Sequence, residues 1–132
     1  MDEAEAIFQK ALEIESQLEE SVRRQNIKGR ALNHQGSLEM ERGNYEKAME
    51  LYQKLLEISL QGGDELLPST ATAYHNISTV HLHQGRLEDA VAISANGLKI
   101  RRRLLGDDHP NTQRHMLEHK TRLGFLLKNK RG

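Results

Sequence analysis

The chain has 132 residues, room for one compact domain or a short repeat array but not for two ordinary domains. Its 19 Lys and Arg offset 19 Asp and Glu, and a net charge of zero argues against general nucleic-acid binding through counterion release. The absence of cysteine excludes disulfides, thiolate nucleophiles and Cys-ligated zinc, and no apolar run approaches the roughly 18 residues of a membrane span. Aromatics make up only 4% of the chain, so a core must come mainly from Leu, Ile and Ala. The first residues, Met1-Asp2-Glu3-Ala4-Glu5-Ala6, are acidic where a leader would be basic, which reads as no targeting segment and a cytoplasmic protein.

Turn signals divide the chain at Gln25-Asn26, Gly43-Asn44, Gly62-Gly63-Asp64, Gly85 and Gly106-Asp107-Asp108. Six helices are expected between them, over about 2–24, 27–42, 45–61, 68–84, 87–105 and 110–130. In the first, Ala4, Ile7, Phe8, Ala11, Leu12, Ile14 and Leu18 follow the three- and four-residue spacing of one wide apolar stripe. Pro68 and Pro110 open helices where a missing N–H costs nothing, and glycines follow helix ends as left-handed caps. Asp64 with Glu65, and Asp107-Asp108-His109, precede helices and are expected to cap their first N–H groups. No stretch alternates as a strand would. The fold class is all-α.

A repeat overlies the helices. Ala31-Leu32-Asn33-His34-Gln35-Gly36, then Gly43-Asn44-Tyr45-Glu46-Lys47-Ala48, recurs 42 residues later as Ala73 to Ser78 and Gly85 to Ala90. Leu55-Leu56-Glu57-Ile58 recurs as Gly97-Leu98-Lys99-Ile100, and an earlier version is Ala11-Leu12-Glu13-Ile14. Small residues at fixed places allow two helices to cross with axes about 8–10 Å apart. A repeated hairpin buries its stripe only by stacking on its neighbours.

These residues resemble the tetratricopeptide repeat family, whose first helix carries aromatic-x-x-Leu-Gly and whose second carries Ala-x-x-x-Phe. Leu32, Gly36, Tyr74, Ile77 and Ser78 match the first; Ala4 with Phe8 and Ala48 with Tyr52 match the second. The 42-residue period and the Leu105-Gly106-Asp107-Asp108-His109-Pro110 connector are similar to the longer kinesin-light-chain type. Departures are Gln35 for Leu, Ser94 and Gly97 for Phe and Ala, and Lys120 where a small residue belongs. The resemblance implies a right-handed superhelix of antiparallel pairs. Residues 1–26 would be a half repeat, 27–67 and 68–108 whole repeats, and 109–132 a half repeat or capping helix. A first helix without a partner would leave Ile7 and Phe8 partly exposed, and unpaired half-repeat ends invite self-association.

Little in the sequence points to chemistry. His115 and His119 lie at i, i+4, but Met116 stands where a metalloprotease has Glu, and a solvated helical face is the expected role. No phosphate loop, nucleophile elbow or paired catalytic carboxylate occurs, so neither an enzyme nor a cofactor or metal is expected.

The resemblance implies function in a concave groove that binds a protein, peptide or partner helix. The inner positions would be Arg30, Asn33, His34, Ser37 and Glu41, then Thr72, His75, Asn76, Thr79 and His83. Independently, Asn33, Ser37 and Glu41, like His75, Thr79 and His83, share a helical face at i, i+4, i+8. Ser37 and Thr79 occupy places where a carboxylate-clamping co-chaperone would need Asn, which disfavours chaperone tails. Charge is uneven: residues 1–66 carry 14 acids and 8 bases, residues 67–132 carry 5 acids and 11 bases. The basic part includes Lys99, Arg101, Arg102, Arg103, Arg114, Lys120, Arg122, Lys128, Lys130 and Arg131. The alternative function is a structural subunit or assembly factor, docked through its end helices and this basic third. Nucleic acid is a weaker partner class, with few aromatics to stack on bases.

Overall fold

The computed structural model describes residues 2–63 and 67–131, without the side chains of Leu67, Lys130 and Arg131. Its elements are α1 (Glu3–Glu41), α2 (Tyr45–Gln61), α3 (Leu67–His83), α4 (Leu87–Leu105) and α5 (Pro110–Arg131). Among the described residues there is no strand, and no helix is long and apolar enough to cross a membrane. Each helix packs against the next in chain order, and α1 also touches α3. The expected caps at Asp64 and Glu65 lie outside the described residues.

There are five helices, not six, because α1 runs unbroken through Gln25-Asn26. Gln is a good helix former and Asn costs only about 0.7 kcal/mol or less, too little to stop a helix without glycine or proline. Gly29 follows at once, but it is helical and buried against Leu55 rather than free to turn. At 39 residues, α1 is about 58 Å long. Asp2 caps it, its carboxylate accepting from the Glu5 N–H at 2.8 Å. Residues 3–21 are all exposed, so the first half projects beyond the packed body.

The other breaks are set by backbone geometry. Gly43 and Gly85, one period apart, have φ of 77° and 76°, a region where a side chain collides with the backbone. Around them the same cap is built twice. Asn44 N–H donates to Glu39 C=O and Gly43 N–H to Met40 C=O; Arg86 and Gly85 repeat this on His81 and Leu82.

Packing follows the small residues. In the first hairpin Tyr52 lies over Gly36, and its hydroxyl meets Ser37 Oγ at 3.2 Å. Ala48, Tyr52, Ile77 and Val80 form the buried cluster that joins the two repeats. In the second hairpin the Ser78 hydroxyl donates to the Ala90 carbonyl at 2.9 Å. Where α2 has Tyr52 and Leu55, α4 has Ser94 and Gly97, and the space left is taken by His115 of α5. Its Nε2 is 3.1 Å from Ser94 Oγ, and its ring edge faces Gly97. His115 is only 2% exposed, which corrects the expected solvated face. Position on a helix surface does not show which side a later helix will cover.

The connector into α5 also departs from expectation. Asp107 is held in two hydrogen bonds by Arg102, at 2.7 and 3.0 Å, and that guanidinium keeps its carboxyl below the usual range. The α5 cap comes instead from the His109 ring, whose Nδ1 accepts from the Asn111 N–H.

Two predictions follow from this packing. A Cβ at Gly36 would stand 2.5–2.9 Å from three carbons of the buried Tyr52 ring, whereas one at the helical Gly124 meets nothing within 4 Å. Gly36→Ala should therefore cost roughly 1–3 kcal/mol of stability, and Gly124→Ala should add about 0.5–1 kcal/mol, read from thermal or urea melts. His115 is pushed down from 6.5 to about 4, first by burial and then by Arg101 and His75, so the fold holds it neutral. The unfolded chain then binds the extra proton between those values. Its contribution is complete above about pH 6.5 and is lost as pH falls toward about 4, on the order of 2–3 kcal/mol. Urea melts across that window should show this slope flattened in His115→Gln, which cannot titrate.

Candidate functional site

The inner face is built by α1, α3 and α5, and it holds two clefts. The first, of about 180 Å³, lies between α1 and the start of α3, lined by Gly29, Arg30, Asn33, Leu55, Pro68, Ser69 and Thr72. The second, of about 330 Å³, lies between α3 and α5, lined by His75, Arg101, Asn111, Arg114, His115 and Glu118. Between them the Asn76 amide donates to the Asn33 carbonyl oxygen across successive repeats. That bond leaves Asn76 one free acceptor and Asn33 its own NH₂ group for a ligand.

Of the ten groove residues expected from sequence, Arg30, Asn33, Thr72, His75 and Asn76 converge on these clefts or on the bond between them. The other five do not. Ser37 turns to Tyr52, Thr79 bonds the His75 carbonyl of its own helix, and His83 packs beside the Tyr45 ring at 5.4 Å. His34 and Glu41 are exposed and line neither cleft. The Thr72 hydroxyl is also satisfied locally, by the Pro68 carbonyl.

The second cleft is cationic. Arg101 and Arg114 face a single carboxylate, Glu118. His75 and His115 meet edge to face with ring centroids 5.9 Å apart. Burial, reinforced by Arg101, pushes the His75 pKa down, as it does that of His115. Two neutral imidazoles and two guanidiniums around one acid suit a carboxylate better than a cation. Among the described residues, no group of three or more His, Cys, Asp or Glu could hold a metal.

The basic residues of the last third are engaged in different ways. Arg102 is bound to Asp107, Arg122 reaches Ser78 Oγ at 3.4 Å, Arg101 and Arg114 enter the cleft, and Lys120 and Arg103 lie exposed on different helices. Asn111, Arg114 and Glu118 were missed as groove residues. A signal was available: they stand 42 residues after Ser69, Thr72 and Asn76.

Family models described as tetratricopeptide repeat match residues 29–61 and 70–111, the second being the kinesin-light-chain-like type. The latter match spans one 42-residue period. No curated protein matches the chain. Repeats of this kind are protein–protein interaction scaffolds, typically without catalysis of their own. With paired helices, glycine-set turns and both family matches in agreement, the chain belongs to the tetratricopeptide repeat family.

Proposed function

We propose that the protein is a non-catalytic scaffold that holds an extended peptide or partner helix in its inner groove, with an acidic group of the partner in the α3–α5 cleft. The observation that carries this reading is the row of half-buried polar side chains, Asn33, Thr72, His75 and Asn76, running between two clefts. Asn33 and Asn76 hold each other and Thr72 bonds the Pro68 carbonyl, but the buried His75 Nδ1 has no partner within the chain, and buried polar atoms are normally paired. Arg101 and Arg114 supply paired donors, and a charge-assisted bond to a carboxylate is worth about 1.5–3 kcal/mol. The scattering of the other basic residues weighs against a nucleic-acid track.

Docking through the end helices is the second reading, favoured by the exposed stripe of α1. An immobilised library of acidic and neutral peptides tests the groove directly. Acidic peptides should be retained, and His75→Ala, Asn76→Ala and Arg114→Gln should each weaken them by about tenfold, ~1.4 kcal/mol. Lys54→Ala, on the exposed face of α2, should leave binding unchanged. Equal effects from all four substitutions would count against the groove.

A further inference from the structure

The first half of α1 presents Ile7, Phe8, Ile14 and Leu18 at 65%, 62%, 50% and 62% exposure. This is not a random apolar patch. Ala4, Phe8 and Ala11 have the spacing of Ala48, Tyr52 and Leu55 in α2, and of Ala90, Ser94 and Gly97 in α4. In α2 and α4 every one of those residues is buried, with Tyr52 and Leu55 against α1 and Gly97 against α3. The equivalent face of α1 continues the same stripe that, further along, packs Gly29 and Gly36 against α2. It is a built packing face with nothing on it.

A matching vacancy lies on α5. Whereas α3 is packed by both α2 and α4, α5 lies against α4 and meets α3 through the His75–His115 ring contact and Arg122 at Ser78. Along the flank of its packed face it exposes Leu123 and Leu127, with Gly124 open beside them. These residues continue the face that α3, one period earlier, offers to α4 through Tyr74 and Ser78.

Charge decides which surface meets which. Residues 2–24 hold seven acids and three bases, and Pro110–Arg131 holds six bases and one acid. Pairing α1 with another α1, or α5 with another α5, would set like charges together; α1 with α5 sets them opposite. We infer that the protein self-associates by seating the exposed first half of α1 on the free face of α5 of a second copy, as α4 sits on α3. The contact joins two different surfaces, so it either closes reciprocally into a dimer or extends as a head-to-tail row. It leaves the groove open and does not depend on how the groove is used.

The two-surface character gives the test. Light scattering of the full chain should show a mass of at least twice 15.1 kDa at high concentration, falling toward the monomer as ionic strength approaches ~1 M. The double variants Phe8→Gln/Ile14→Gln and Leu123→Gln/Leu127→Gln alter exposed positions with a good helix former, and circular dichroism should confirm unchanged folding. Each alone should weaken association by at least about tenfold. Mixed together they should form a heterodimer, because one retains α5 and the other retains α1. A wild-type chain that stays monomeric would overturn the inference. So would an α5 variant that still associates by itself, which indicates α1 on α1, or a mixture that remains monomeric.

Discussion

Within each hairpin of this stack the two helices meet closely where one of them lacks a side chain, and much of the architecture depends on that. Gly36 admits the Tyr52 ring, Gly29 admits Leu55, and Gly97 lies against Tyr74 and the Ala71 backbone. Each contact fixes where one helix crosses another, and so fixes the tilt of the next. The inner face is a consequence. Asn33 reaches Asn76 only because α1 and α3 are both pressed onto α2 at these points.

The repeat conserves backbone while exchanging the parts that fill it. In the first pair an aromatic knob on the second helix enters a glycine notch on the first. In the second pair Ser94 and Gly97 remove that knob, and the following helix supplies a ring, His115, to occupy the space. A tyrosine ring fills a cavity with little electrostatic consequence. A histidine does so only while neutral, beside Arg101 and His75. The exchange couples core packing to the cleft, since the ring that locks α5 onto α4 also forms one cleft wall.

Elements bounded by strong local signals were legible in the sequence. The limits of α2 and α4 agree with those read from the Gly43, Gly62-Gly63, Gly85 and Gly106 turns, because the positive-φ glycines there, Gly43, Gly63, Gly85 and Gly106, act through the backbone and need no tertiary context. Gln25-Asn26 carried no comparable constraint, and α1 passed through it. Within the groove, helical spacing identified polar faces but not the hydrogen bonds made on them. Ser37 and Thr79 have the right spacing, yet Tyr52 and a backbone carbonyl claim their hydroxyls. Arg101 was legible only as part of a basic run; its place in the cleft depends on how α4 and α5 cross.

The neutral total charge conceals a division that does little within the fold. The acidic first half of α1 and the basic α5 share no contact, and α3 lies between the two helices on the inner face. At about 8–10 Å per step, two steps put them about twice the Debye length of about 8 Å apart at physiological ionic strength. Their mutual attraction inside one chain is therefore screened away and contributes almost nothing to stability. A surface pattern that cannot act across its own molecule can still act at contact distance on another. The split, six net negative charges in one half and six positive in the other, is therefore free to serve contacts of the kind inferred above without cost to the fold.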